Sequence, residues 1–466
     1  MAVPQLRRAL GFRDLLFFYI VTTFGPRWIA TAAAVGPSAI VIWVIAALGL
    51  FVPLVFTVLE LSSRYPEEGG LYVWSKRAFG PFSGFLTGWT YWGSNLPYLP
   101  GLLYFAAANA LFIGGASWQS LSASSAYFMT VSIAGLVLAV TMNVVGLNVG
   151  KWLNNVGAMA AWVAPALLIV LGAMSWTRHG SATTMDAAAF VPGASLKDLI
   201  FWSTIAFAFS GVESASTMGE EIENPRRTIP RAVLTAAVII TTLYIAATLS
   251  VLLAIRSEQV SGLQGIMQAI RAMGGVVGAP WLAPLAAVFL TINALGGVGG
   301  WFAETARLPF VAGIARYLQR AFGDLHPRWR TPYVALLVQA AIAGLFVVLG
   351  QAGTSVRGAY DALVSMGIIA NFIPFLFMFA AMIRLQREPA GPEVMRVPGG
   401  SAVAVPLAVV GFFTTAASIV FACIPPDDEP NKMLAVTKIA GASLILVAAG
   451  VVVYVAGRRR AAEVRA

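Results

Sequence analysis

The chain has 466 residues, 59% of them apolar and only 11% charged, where soluble domains carry roughly a quarter charged, so a soluble enzyme is excluded. One cysteine, Cys423, and two histidines, His179 and His326, leave no basis for a disulfide scaffold or a Cys- or His-built metal site. The net charge of +10 would suggest nucleic acid in a soluble protein, but in a membrane chain it reads as orientation, and no nucleic-acid partner is expected.

A spanning helix takes about 20 predominantly apolar residues, and a charge at its centre costs roughly 2.5 to 3.5 kcal/mol, so charge-free gaps mark spans. No Lys, Arg, Asp or Glu occurs between Arg77 and Lys151, and the gaps from Trp28 to Leu59, Trp152 to Thr177, Ala232 to Ile255 and Ala272 to Ala303 are equally clean. In chain order the spacing predicts twelve helices, near 14–34, 38–61, 82–114, 124–145, 152–176, 199–220, 230–255, 281–316, 332–350, 358–385, 402–424 and 433–456. Pro97 and Pro100 mark a place where the third could break. The tails are 1–13 and 457–466, the first five helices fill 14–176, a loop follows at 177–198, the next five fill 199–385, and the last two lie within 402–456. With an even count both termini share a side. That side holds 22 Lys and Arg against seven on the other, with Arg27 left over inside the first helix. The positive-inside rule then puts both termini in the cytoplasm of a multi-pass cell-membrane protein, and the first apolar segment, lacking a small-residue cleavage site, reads as a retained helix.

The first helix carries Gly25-Pro26 at mid-membrane depth, followed by Arg27, and the sixth carries Ser210-Gly211 ahead of Glu213. Proline removes a donor and clashes with the preceding turn, so the first helix must kink or unwind. Interrupted helices in corresponding positions of two halves point to a transporter site between inverted repeats, because unwound backbone offers free amides and carbonyls to a substrate.

Phe207-Ala-Phe-Ser-Gly-Val-Glu-Ser-Ala-Ser216, followed by Glu220, Glu221, Asn224, Pro225, Arg226, Arg227, Ile229, Pro230 and Arg231, resembles the sixth-helix signature of the amino acid/polyamine/organocation permeases. Leu59-Glu60-Leu61 with Pro66-Glu-Glu-Gly-Gly-Leu-Tyr-Val-Trp74 and Phe79-Gly80 resembles that superfamily's junction of helices 2 and 3, and Gly297-Val-Gly-Gly-Trp301 its helix 8 segment in amino acid antiporters. Arg396-Val-Pro-Gly-Gly400 and Pro425-Pro-Asp-Asp428 are most similar to the glutamate/GABA antiporter branch. The resemblance implies an all-α membrane protein of the leucine-transporter type, an inverted repeat of five plus five helices with two more at the C-terminus, holding an amino acid between helices 1, 3, 6, 8 and 10. The family's helix 1 often carries a Gly-x-Gly whose amides bind the substrate carboxylate, whereas the matching place here reads Thr23-Phe24-Gly25. Some proton-coupled relatives use a lysine in helix 5, and no basic residue lies between Lys151 and Arg178 here.

The candidate substrate contacts are therefore Thr23, Gly25, Arg27, Phe207, Gly211 and Trp301, and the candidates for proton coupling or gating are Glu213 and Glu304. An intramembrane arginine must meet an anion, water or carbonyls, so Arg27 either faces substrate or pairs with a carboxylate of a neighbouring helix. Glu213 matches a family glutamate, either proton-responsive or tying helices together. The resemblance makes Phe207 an aromatic gate and Trp301 a stacking surface for the aliphatic part of the substrate. Glu304, one turn beyond Trp301, either lines the inner pathway or pairs with Arg307 at i+3.

No Gly-x-x-x-x-Gly-Lys-Ser/Thr element occurs, so transport is expected to run on exchange or an ion gradient, with no cofactor and no metal. The expected function is secondary active transport of an amino acid by alternating access, as an exchanger or a proton-coupled permease in a lipid bilayer. A polyamine or organic-cation permease of the same fold, a channel, and a membrane-embedded enzyme are the rivals. The last has no clustered His or metal set to work with. Oligomeric state is not legible.

Overall fold

A computed structural model describes residues 11–65, 67, 69–145, 147–193, 196–214, 216, 222–305, 317–318, 320–329, 331–392, 394–425 and 431–463. Among them the regular structure is helical: α1 (Phe12–Thr23), α2 (Arg27–Ala33), α3 (Ser38–Arg64), α4 (Leu71–Phe79), α5 (Pro81–Ala110), α6 (Ser125–Val145), α7 (Leu147–His179) and α8 (Leu196–Phe207). Then come α9 (Pro225–Ala254), α10 (Gly265–Val276), α11 (Leu282–Thr305), α12 (Tyr333–Gln351), α13 (Val356–Leu385), α14 (Ser401–Ala422) and α15 (Lys432–Glu463). Nine of the described helices are long and apolar enough to cross a membrane, namely α3, α6, α7, α9 and α11 to α15, and the pair α1–α2, bent by 51°, adds a tenth.

The third and sixth predicted spans are α5 and α8. α5 has 30 residues, nearly all buried from Gly84 to Asn109. Its Trp, Tyr, Asn and Gly content suits a central helix surrounded by protein better than one facing lipid. It runs through Pro97 and Pro100 without the expected break; inside a bundle, side chains and neighbouring helices can meet the backbone groups that proline frees. α8 has only 12 residues, ending at the break that the Ser210-Gly211 pair predicts. Of the eighth predicted helix, 306–316 lies outside the described residues.

α5 packs against α11 and α13, α7 against α11, and α1 against α9. The α7–α11 contact is close because two glycines face each other: a Cβ on Gly157 would stand 2.8 Å from the Gly296 Cα. Asn293 of α11 adds a hydrogen bond, its Nδ2 donating to the Gly157 carbonyl at 3.1 Å. Small residues that let backbones approach are a main source of helix association where lipid is as apolar as the side chains.

The two breaks lie against each other. Gly211 has φ +124°, and a Cβ there would stand 2.5 Å from the Thr22 carbonyl oxygen, so only glycine fits. One side chain, Tyr244 of α9, serves both breaks: its fully buried hydroxyl accepts from the Gly25 N–H at 2.9 Å and lies 3.0 Å from the Thr23 and 3.1 Å from the Ala208 carbonyl oxygens. With one proton it donates to one carbonyl at a time or shares it between them. The ring is fixed by stacking on Trp43 at 4.2 Å and 8° and by contacts with Phe24 and Phe209. Trp43 is held in turn by its indole N–H, which donates to Thr248 at 3.0 Å.

At the far end of α3 a polar clasp joins four segments. Glu60, 1% exposed, accepts from Arg64 at 2.8 Å, from Gln386 at 2.6 Å and from the Val397 N–H at 2.9 Å. Arg64 also donates to the Leu385 and Glu388 carbonyls. Tyr65 donates to the Glu388 carboxylate at 2.8 Å, and Arg77 of α4 reaches the same oxygen at 3.1 Å. The Tyr65 hydrogen bond, with help from Arg77, holds the Glu388 carboxyl below the usual carboxylate range.

Three outcomes follow for purified protein in detergent, measured by thermal unfolding. Glu60→Ala removes the counter-charge of buried Arg64 and should destabilise by about 3–5 kcal/mol, the cost of breaking a buried pair. Tyr244→Phe keeps the ring but leaves the Gly25 N–H without its acceptor, and should cost about 1–3 kcal/mol. Glu388 contributes stability above its unfolded value of about 4.3 and loses it as pH falls through its lower folded value. The melting difference between wild type and Glu388→Gln should therefore shrink below about pH 4, and a constant difference down to pH 3 would contradict it.

Candidate functional site

The residues singled out in the sequence meet around one cavity of about 100 Å³ between the two breaks, walled by α1, α2, α5, α8, α11 and α13. Thr23, Gly25, Arg27, Phe207, Gly211, Trp301 and Glu213 all line it. Glu304 belongs to α11, but its side chain and Arg307 lie outside the described residues.

Arg27 opens α2 just past the Gly25-Pro26 pair and is 3% exposed. Its guanidinium carbon lies 4.1 Å from the centre of the Trp28 ring and 4.3 Å from that of Tyr98 on α5. Aromatic faces attract a desolvated cation by about 2 kcal/mol each, well short of what hydration supplies. Among the described residues no carboxylate forms an ion pair with it, and its buried Nη1 has no hydrogen-bond partner. Of the two alternatives open for Arg27, pairing with a carboxylate is thus not the arrangement seen.

The cavity walls are aromatic. Tyr98 packs edge-on against Trp301 at 5.6 Å and Phe207 at 6.3 Å. Phe207, the last residue of α8, also meets Trp28 at 5.5 Å and Phe372 of α13 at 5.7 Å. Trp28 lines a second cavity too, of about 270 Å³, which reaches Glu258, Arg357 and Tyr360. Its side chain therefore borders both spaces, while Phe207, in contact with it, lines only the first.

Polar groups cluster at the breaks. Thr23, which ends α1, has a buried hydroxyl without a partner. Asn371 of α13 donates to the Ser210 hydroxyl at 3.4 Å. Glu213, 2% exposed, accepts from the Gly211 N–H at 2.8 Å and from the Tyr91 hydroxyl of α5 at 3.2 Å. This carboxylate closes the sixth-helix break on itself and ties it to α5.

Tyr244, Tyr98, Trp28 and Asn371 were not among the sequence candidates. For Asn371 the signal was present, a lone amide at the middle of an otherwise apolar span. Tyr244 and Tyr98 looked like any aromatic residue of a bundle, because what distinguishes them is contact with residues over 70 positions away.

Comparison with known proteins agrees with this architecture. A family model described as amino acid permease matches residues 10–453. An uncharacterized transporter of Legionella pneumophila is 25% identical over 91% of this chain and 92% of its own length. The probable agmatine/putrescine antiporter AguD of Lactococcus lactis is 21% identical over 90% of this chain and 89% of its own, and the serine/threonine exchanger SteT of Bacillus subtilis 22% identical over 72% and 73%. Among solved structures, that of MhsT in complex with L-phenylalanine superposes with a TM-score of 0.61, at 15% identity, over 90% of this chain and 99% of that one. That likeness supports the leucine-transporter-type fold. Since the family model spans nearly the whole sequence, the chain belongs to the amino acid permease family of the amino acid/polyamine/organocation superfamily and is a secondary transporter, not an enzyme.

Proposed function

We propose that the transporter exchanges amino acids across the cell membrane, with both termini in the cytoplasm and the substrate held in the cavity between the two breaks. The observation that carries this reading is the convergence of Thr23, Gly25, Arg27, Phe207, Gly211 and Trp301 on one space between α1–α2 and α8. They come from the two five-helix repeats, 14–176 and 199–385, which is where carriers of this kind hold their cargo. Exchange is favoured over net uptake because two relatives are named an antiporter and an exchanger. The excess of Lys and Arg on the side of the termini supports their orientation.

In this reading the cation of Arg27 and the hydroxyl of Thr23 meet the polar head of the substrate, and Trp301 its apolar stem. Trp28, which borders both cavities and packs on Phe207, is the side chain that stands between the substrate and the second cavity. Glu213 is the gating group, since its carboxylate spans Gly211 and Tyr91 and must let go for α8 to move against α5. A proton taken up there would weaken that tie, which couples the gate to pH. Glu304 remains a second candidate for coupling.

Proteoliposomes provide the test. Uptake of radiolabelled amino acid should accelerate severalfold when unlabelled amino acid is preloaded inside; equal rates with empty liposomes would replace exchange by net uptake. Glu213→Gln, fixed in a neutral form of nearly equal shape, should flatten the pH profile of the initial rate while keeping substrate affinity at the optimum. Profiles that run parallel in the two proteins would place the pH response elsewhere. Trp301→Ala should raise the apparent KM about two- to tenfold, the worth of one aromatic contact, without lowering the folded yield; a poorly folding variant with unchanged KM would assign Trp301 to packing.

A further inference from the structure

The two glycine amides that the breaks could lend to a substrate carboxylate are already in use. The Gly25 N–H donates to the Tyr244 hydroxyl, and the Gly211 N–H donates to Glu213. Neither glycine amide is therefore open to an incoming anion. The group left open is Arg27: a permanent cation, 3% exposed, lining the cavity, with Nη1 unpartnered and no ion pair among the described residues. Trp28 and Tyr98 hold the guanidinium between their rings, leaving its edge, where the N–H donors lie, for a hydrogen-bonding partner. Gly101 of α5 lies beside Nη1, where a Cβ would stand in ordinary contact at 3.7 Å.

A buried charge without a counter-charge is costly, and a planar fork of N–H donors matches a carboxylate in two parallel bonds. We infer that Arg27 is the anchor for the substrate carboxylate, in place of the glycine amides of the breaks, and that the transporter selects substrates bearing a carboxylate and rejects their decarboxylated amines. The inference rests on the amino acid cavity proposed above. An amine brings no anion to Arg27 and adds a second positive charge to the same small space, so it meets repulsion as well as a missing bond. Selection is thus sharper than the loss of one contact. The substrate's carboxylate supplies a counter-charge that Arg27 finds nowhere among the described residues, which ties occupancy of the site to the stability of the region around α2.

The test needs no variant at first. Purified full-length transporter in detergent is titrated with L-serine, L-ornithine, L-arginine and L-phenylalanine, with their amides, with ethanolamine, putrescine, agmatine and phenethylamine, and with succinate. Thermal stabilisation reports binding, and competition for uptake into proteoliposomes reports access to the same site. The amino acid that binds best should do so roughly ten- to a hundredfold more tightly than its amide, the range expected for hydrogen bonds to a charged group, and its amine should be weaker still. Arg27→Gln should bring the amino acid down to the level of its amide, and Arg27→Lys should recover only part of the difference. An amine that binds as well as its parent amino acid, or an Arg27→Gln variant that keeps the preference for the carboxylate, overturns the anchor while leaving transport of organic cations by this fold intact. Succinate binding that depends on Arg27, with no amino acid binding, supports the anchor and overturns the amino acid reading. No response to any carboxylate overturns both.

Discussion

The hydroxyl of Tyr244 is the point on which the central architecture turns. A membrane protein must satisfy its backbone polar groups internally, so an unwound stretch in a span persists only where protein meets the groups it frees. Here the Gly25-Pro26 pair interrupts one helix, Gly211 interrupts another, and a single buried phenol from a third helix reaches both. The stacking of Trp43 on that ring and the indole bond to Thr248 make the position rigid. The charged lining of the cavity hangs from these two interruptions, because Arg27 starts the helix after the first and Glu213 follows the second.

The same economy of partners shapes the site's electrostatics. Among the described residues two carboxylates are buried, Glu213 at the break and Glu60 at the far end of α3, and each is satisfied locally: Glu213 by an amide and a phenol, Glu60 by Arg64, Gln386 and an amide. Arg27 is the cation at the breaks, and among the described residues neither carboxylate is spent on it. The aromatic faces of Trp28 and Tyr98 lower the cost of burying that charge without neutralising it. Arg27 therefore offers the cavity an unpaired cation, set in walls of Trp, Tyr and Phe that favour an organic solute over an inorganic anion.

The clasp around Glu60 and Glu388 lies at the ends of α3 and α13, away from the cavity, and binds α3, α4, α13 and the segment before α14 together. Alternating access requires some helices to rock against others around the site. The clasp's charge-assisted bonds hold those helices together at that end, and the Glu213 tie to α5 is a separate link between helices, one at the end of the bundle and one beside the cavity.

Much of this was legible in the residues alone. Charge-free gaps marked the spans because a charge in lipid is expensive wherever the helix lies, a penalty that needs no knowledge of neighbours. Gly25-Pro26 announced a break because proline cannot donate, and Ser210-Gly211 matched it. What the sequence could not decide was which partner each polar group would find. Arg27 left two alternatives open, and only its tertiary contact with Tyr98 of α5 placed its guanidinium between two rings, in no ion pair with a described carboxylate. Pro97 and Pro100 suggested a break that a helix surrounded by protein does not show. Tyr244 carried no local mark at all. Insertion into a membrane is a property of each segment's own composition, and so it can be read in order along the chain. Satisfaction of a buried donor or charge depends on groups over 200 residues apart being brought within 3 Å, and that is decided only when the helices pack.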